Sequence, residues 1–304
     1  MRDAPRPIRS LLFVPGNREE WMRKALASEA DALIFDLESA IPRGEAVAAR
    51  AMCRRVLDEC RAGHPALFVR VSDVRSPEQE RDLTAVVGAG LHGILLPQVI
   101  DAGDVVATDE ALTRAEQDAG VAVGRTHIMP LVESANAIRT AFEIASASPR
   151  VAYMGGATSR GGDLARSLGY HFSEEGQETL FLRSKVLVDV RAAGIANPIS
   201  GLWGNVDDQD GLRAFAEQSR NLGYEGFMAI HPSQLGVINT VFSPSEDAIA
   251  EWQRIITAME KAEAEGRGAI RLDGRLIDAA HVHTAEQQLE RARQLGLLSD
   301  PHSA

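Results

Sequence analysis

The chain has 304 residues, of which 45% are apolar, and a formal charge of −11 at pH 7. The apolar share supplies a full core and argues against disorder, while the negative charge argues against nucleic acid or an anionic membrane as partner. No apolar run approaches the roughly 18 residues of a membrane span, and Met1 to Ser10 has arginines but no apolar stretch behind them, so a cytoplasmic setting is expected.

Short β-rich apolar runs alternate with longer helical patterns along the chain. Strands are predicted near 11–14, 32–36, 66–71, 93–97, 127–132, 150–154, 197–202 and 226–230, with the clearest helices at 43–62, 77–88, 134–147, 176–193 and 208–222. No G-x-G-x-x-G opens the first unit, which lowers a dinucleotide-binding reading. Eight strand–helix alternations in a chain of this length predict a (β/α)8 TIM barrel over 1–242. The remainder, 243–304, reads as a C-terminal extension that serves as lid or oligomer arm. Ser243-Pro244-Ser245 starts a helix over 246–265, and Gly266-Arg267-Gly268 stops it. Asp273-Gly274 then turns a hairpin between 269–272 and 275–277, and a last helix covers about 284–295.

In a barrel of this kind chemistry gathers at the C-terminal ends of the strands. Glu133 closes the apolar run Ile128-Met129-Pro130-Leu131-Val132, and Asp163 follows Val151-Ala152-Tyr153-Met154 after a glycine-rich turn. If those runs are neighbouring parallel strands, the two carboxylates meet at one rim and offer the hard oxygen ligands that Mg²⁺ prefers. The plainer reading of each is an acid favoured by the N-terminus of the following helix. Strand 2 ends in Asp36-Leu37-Glu38, either site residues or solvated turn acids. Arg70 interrupts Leu67-Phe68-Val69-Arg70-Val71, where its charge needs an anion. That anion is a protein carboxylate or, the favoured reading, a substrate carboxylate. The stretch from Gly155 to Gly162, including Arg160, either presents backbone N–H groups to an anion or is a flexible loop. His231-Pro232 stands where a helix begins, a place as often structural as functional.

Lysine and cysteine usage narrows the chemistry. Lys24, Lys185 and Lys261, the chain's three lysines, all fall in predicted helices, so a Schiff-base aldolase has no lysine at a strand end. Cys53 and Cys60 share one arginine-rich helical segment, fit a reducing compartment and receive no catalytic role.

Several strings resemble those of the citrate lyase beta-subunit-like family, within the HpcH/HpaI aldolase superfamily. They are Arg9-Ser10-Leu11-Leu12-Phe13-Val14-Pro15-Gly16, Phe35-Asp36-Leu37-Glu38, Phe68-Val69-Arg70-Val71 and Leu96-Pro97-Gln98-Val99. Pro130-Leu131-Val132-Glu133-Ser134, Asp163-Leu164-Ala165-Arg166-Ser167-Leu168-Gly169, Ala229-Ile230-His231-Pro232-Ser233-Gln234 and Leu272-Asp273-Gly274-Arg275-Leu276-Ile277-Asp278 follow in the family's order. The likeness extends from about residue 9 to 295.

The resemblance implies a Mg²⁺-dependent (or Mn²⁺-dependent) carbon–carbon lyase similar to malyl-CoA and citramalyl-CoA lyases. Glu133 and Asp163 would be the metal ligands, and Arg70 would hold the carboxylate of a 2-oxo acid. By their places at strand ends and in the glycine-rich loop, independently of the resemblance, Asp36, Gly155, Gly162 and His231 are expected to complete the site. Asp278 looks like the acid that, in CoA-dependent members, enters from the tail of a neighbouring subunit of a homotrimer or homohexamer. The implied substrate is a 3-hydroxyacyl-CoA thioester that splits into an acyl-CoA and a 2-oxo acid. Two alternatives stand beside it: a CoA-independent metal aldolase joining an oxo acid and an aldehyde, and a citryl-type lyase subunit of a multi-protein complex. The chain departs from the family pattern at Ser39 and Ser200, where aspartate is common, and at Ala46 and Gln98, where lysine is common.

Overall fold

Continuous apolar runs are what a parallel strand covered on both faces requires, and eight of them form the sheet. The computed structural model describes residues 5–61, 63–156, 158 and 161–298. The strands are β1 (Ser10–Pro15), β2 (Ala32–Asp36), β3 (Ala66–Arg70), β4 (Gly93–Leu96), β5 (His127–Pro130), β6 (Tyr153–Gly155), β7 (Asn197–Ser200) and β8 (Gly226–Ala229). They pair in the order β5-β4-β3-β2-β1-β8-β7-β6. Isolated parallel bridges, Ile128 with Val151 and Leu131 with Gly155, join β5 to β6 and close the barrel. Each strand sends at least one side chain into a lumen that runs from Leu11 to Met228 and includes Phe68 and Tyr153. The lumen is thus a packed core, as the fold demands.

The helices around it are α1 (Glu19–Ala25), α2 (Ala46–Asp58), α3 (Glu78–Val86), α4 (Ala102–Asp118), α5 (Ala135–Arg139), α6 (Ala141–Ser146), α7 (Asp163–Leu168), α8 (Gln177–Ala192), α9 (Gln209–Leu222) and α10 (Leu235–Val241). Their ends follow local chemistry. Asp208 caps α9 by accepting from the Gly211 N–H, and Gly223 ends it in the left-handed region at φ 112°. The single helix expected over 134–147 is instead two, broken at Thr140 (φ −109°, ψ 28°). The Thr140 hydroxyl donates back to the Asn136 carbonyl at 2.9 Å, competing with the helix ladder.

The chain from Ser243 on forms a second compact unit. It contains α11 (Glu246–Ala264), the antiparallel pair β9 (Ala269–Leu272) and β10 (Arg275–Asp278), and α12 (Ala279–Gln294). Ile255, Met259, Ile277 and Ala285 form its own small core. The last helix begins five residues earlier than the sequence reading placed it, because Asp278 caps it in a box with His281. Among the described residues no helix is long and apolar enough to cross a membrane.

Candidate active site

The parallel register sets Pro15 beside Asp36, Asp36 beside Arg70 and Arg70 beside Leu95, so β1 to β4 end in one row. Asp36 and Arg70 therefore meet as neighbours on the same face. Arg70 donates from Nε to Asp36 Oδ1 at 2.7 Å and from Nη2 to Oδ2 at 2.6 Å, a bidentate fork. Asp36 also accepts from the backbone N–H groups of Glu38 and Ala40, at 2.9 Å each, so both its oxygens carry two bonds. Arg70 lies beneath the Phe13 ring, 5.1 Å from its centroid, and its Nη1 is 3.2 Å from Glu38 Oε2. Burial works against the Arg70 charge. The Asp36 bonds, with the charges of Asp36, Glu38 and Glu133, outweigh it and hold the pKa above the ordinary value. Of the two anions expected for Arg70, a protein carboxylate or a substrate carboxylate, the structure shows the first, since Asp36 pairs with it. Asp36, expected among the catalytic residues, is buried at 2% exposure with its acceptor capacity spent. It orients Arg70, whose Nη1 contacts Glu38 and keeps one further N–H in hand.

Glu133 ends the run after β5. Its Oε1 accepts from the Gln98 backbone N–H at 2.6 Å. That N–H is aimed by a left-handed backbone at Gln98 (φ 51°), uncommon for a residue with a Cβ. Burial is the main cause that raises the Glu133 carboxyl to about 7; the charges of Asp163 and Glu38 add to it, and the Gln98 bond and Arg70 oppose it. Asp163 and Glu133 thus lie within electrostatic reach, as neighbouring β5 and β6 would bring them. Asp163 opens the short helix α7 rather than standing in a loop; Gly162 precedes it as N-cap and Arg166 pairs with it one turn on. Among the described residues no group of three or more His, Cys, Asp or Glu is arranged to hold a metal. Two all-oxygen ligands that repel one another nonetheless fit a hard divalent cation, which keeps its other positions for water or substrate.

The remaining expected site residues have other employment. A Cβ on Gly155 would lie 1.6 Å from the Ile199 carbonyl oxygen, and the Gly155 carbonyl accepts from Val132 N at 2.9 Å. Close strand packing accounts for this glycine without a ligand. Gly162 accepts from the Arg166 N–H, while Arg160, with Ala157 and Ser159, lies outside the described residues. Thr158, between them, donates its N–H to the Gly201 carbonyl at 3.0 Å. His231 caps a 3-10 turn over Pro232–Gln234 by accepting from Ser233 N on Nδ1, and Gln234 returns the bond to its backbone. Asp278 accepts from the Ala280 and His281 N–H groups and contacts His281 Nδ1 at 2.7 Å, which holds its pKa below the ordinary value. Ser200 is buried against the Ser219 hydroxyl of α9, facing the helical layer. All three lysines lie in helices, and burial raises the Cys53 thiol to about 12. Gln98, expected only as a departure from a common lysine, contributes its backbone N–H to Glu133.

The strands of a closed (β/α)8 barrel thus carry Glu133 and the oriented Arg70 at their C-terminal ends, with Asp163 opening the helix that follows β6. Residues 9–232 match the HpcH/HpaI aldolase/citrate lyase family, and the chain belongs to it. It is 34% identical over 284 residues to the citrate lyase subunit beta of Leuconostoc mesenteroides subsp. cremoris, covering 93% of each chain. Two Cereibacter sphaeroides proteins are equally similar at 34%. One is a (3S)-malyl-CoA thioesterase, with 97% of this chain and 98% of that one covered. The other is an L-malyl-CoA/beta-methylmalyl-CoA lyase, with 95% and 96% covered. Among solved structures, protein CitE from Mycobacterium tuberculosis in complex with magnesium, acetoacetate and coenzyme A superposes with a TM-score of 0.74. It shares 27% identity over 96% of this chain and 100% of that one.

Proposed function

We propose that the protein is a Mg²⁺-dependent lyase acting on a 3-hydroxyacyl-CoA thioester of the malyl-CoA or citramalyl-CoA type, cleaving it to an acyl-CoA and a 2-oxo acid or running the reverse condensation. The observation that carries this reading is the pair Glu133 and Asp163 on the rim where the oriented Arg70 ends. The family, and relatives named for malyl-CoA chemistry, support the substrate class. Glu133 and Asp163 would hold the Mg²⁺ ion, which when bound supplies Lewis-acid polarisation of a substrate oxygen. Arg70 receives the carboxylate of the 2-oxo acid on its end-on edge, a planar fork that a lysine cannot copy. Asp36 and Phe13 hold that fork in one plane, so the carboxylate arrives already oriented. Asp278, entering from the tail of a neighbouring subunit, is the acid proposed to accept the thioester α-proton in condensation. A homotrimer or homohexamer and a cytoplasmic location belong to the same proposal.

Thioester hydrolysis is a second reading, favoured by the similarity to a malyl-CoA thioesterase. Product analysis separates them. Incubation with malyl-CoA or citramalyl-CoA and Mg²⁺ should give acetyl-CoA with glyoxylate or pyruvate. Free CoA with an intact hydroxy diacid would replace the lyase by the thioesterase. No turnover of any CoA thioester, with cleavage of a free hydroxy-oxo acid, would select the CoA-independent aldolase.

A further inference from the structure

At the opposite face of the barrel, where the strands begin, a cleft of about 490 Å³ opens between the loops that precede β3, β4 and β5. Three guanidiniums line it: Arg6 ahead of β1, Arg61 after α2 and Arg125 ahead of β5. The charges of Arg6 and Arg125 both act on His92, and those of Arg6 and Arg61 both act on Cys60, so the three converge on one space. None has a carboxylate partner among the described residues. Arg61 Nη1 donates to the Asp58 and Cys60 carbonyls, at 3.0 and 2.8 Å, and Arg125 Nη2 to the Ala89 carbonyl at 2.5 Å. The carboxylate on the wall, Asp58, is engaged by Arg54 through both oxygens.

Arginines that serve only stability at this end of the barrel behave differently. Arg9 forks onto Asp31, and Arg150 onto Glu116 and Asp109. Arg61 and Arg125 stop on carbonyls, and an anion in the cleft would relieve the repulsion among the three cations. Two wall residues meet Tyr153 of the barrel lumen, whose hydroxyl donates to the Arg6 carbonyl at 2.9 Å and lies 3.1 Å from His92 Nε2. That bond ties the Arg6 backbone to the barrel lumen.

We propose that this cleft is a second binding site, distinct from the candidate active site, for a small anion carrying two or more negative charges, a phosphate ester or a polycarboxylate. Guanidinium forks match both carboxylate and phosphate oxygens. The volume suits a metabolite rather than a macromolecule, and a chain of net charge −11 would repel nucleic acid.

Calorimetric titration of the full chain in chelator, with pyrophosphate and separately with citrate, tests the site. Arg6 and Arg61 are exposed, so the double variant Arg6→Gln/Arg61→Gln should fold like the parent, with Arg125→Gln as a second, independent variant. Binding of pyrophosphate alone would support the site and identify a phosphate ester, and binding of citrate alone a polycarboxylate. In either case each lost charged hydrogen bond should weaken binding about tenfold or more. Anion captured instead at Arg70 would bind both variants with unchanged affinity, which overturns the proposal. So would the absence of binding by either probe.

Discussion

Glu133 makes the metal-free protein sensitive to pH in a direction the structure fixes. Its carboxyl is raised from 4.5 to about 7, so the folded state holds this proton more tightly than the unfolded chain does. Stability from this group is therefore present in full below 4.5, falls as pH rises through the interval, and levels off above about 7. At about 1.4 kcal/mol per pH unit the gap amounts to about 3 kcal/mol. Other groups titrate over the same range, so the informative quantity is the difference between wild type and Glu133→Gln, which cannot ionise there. Urea denaturation in chelator across this range should show the glutamine variant gaining on wild type by about 2–3 kcal/mol as pH rises. Saturating Mg²⁺ should largely cancel that difference, because the ion stabilises only the folded wild type, by about 2.7 kcal/mol at a hundredfold excess over Kd. The apparent Mg²⁺ affinity should also fall about tenfold per pH unit below the Glu133 pKa, as binding displaces the proton. A difference between the two proteins that stays flat with pH would refute this account of the Glu133 environment.

Asp36→Asn should leave the barrel folded but loosen the Arg70 fork. In the condensation direction KM for the 2-oxo acid should rise roughly tenfold with a smaller change in kcat, and equal loss in both would contradict a positioning role. Arg150→Met leaves the fully buried Glu116 without the two bonds, at 2.9 and 2.8 Å, that it accepts from Arg150. The denaturation midpoint should show a loss of about 3–5 kcal/mol, and a neutral result would mean that Glu116 is protonated or hydrated in the variant. At Asp278 two roles separate. Serine preserves an N-cap and alanine does not, so Asp278→Ser should restore the thermal stability that Asp278→Ala loses. If Asp278 also transfers a proton, both variants should be equally slow in turnover; recovery of activity by serine would leave it a cap alone.

The barrel was legible because parallel strands covered on both faces show as uninterrupted apolar runs, and because the acids and Arg70 fall at the ends of those runs. Register was legible only in its consequence. That β5 and β6 adjoin followed from the alternation, whereas the pairing of Asp36 with Arg70 depends on a residue-by-residue alignment of β2 with β3 that hydrophobic pattern alone does not set. The same limit hid the anion for Arg70, so substrate was favoured where a neighbouring strand already provides a carboxylate. Helix details failed where side chains compete with the backbone. Thr140 breaks a helix by bonding back to Asn136, and Asp278 starts one early through a box closed by histidine rather than glutamate. Gly155 looked like a ligand-facing glycine because it opens a glycine-rich stretch, but the approach of Ile199 demands it. Gln98 stood out only as a side-chain departure, since its part is played by a backbone N–H in an unusual conformation.

The central claim is that Glu133 and Asp163 together hold the ion on which carbon–carbon cleavage depends. It is tested most directly by measuring 2-oxo acid release from malyl-CoA and citramalyl-CoA, with Mg²⁺ and with chelator, for wild type, Glu133→Gln and Asp163→Asn. The account predicts metal-dependent release of glyoxylate or pyruvate by wild type and loss of release in both variants, which remain folded. Undiminished release in chelator, or by either variant, would contradict it.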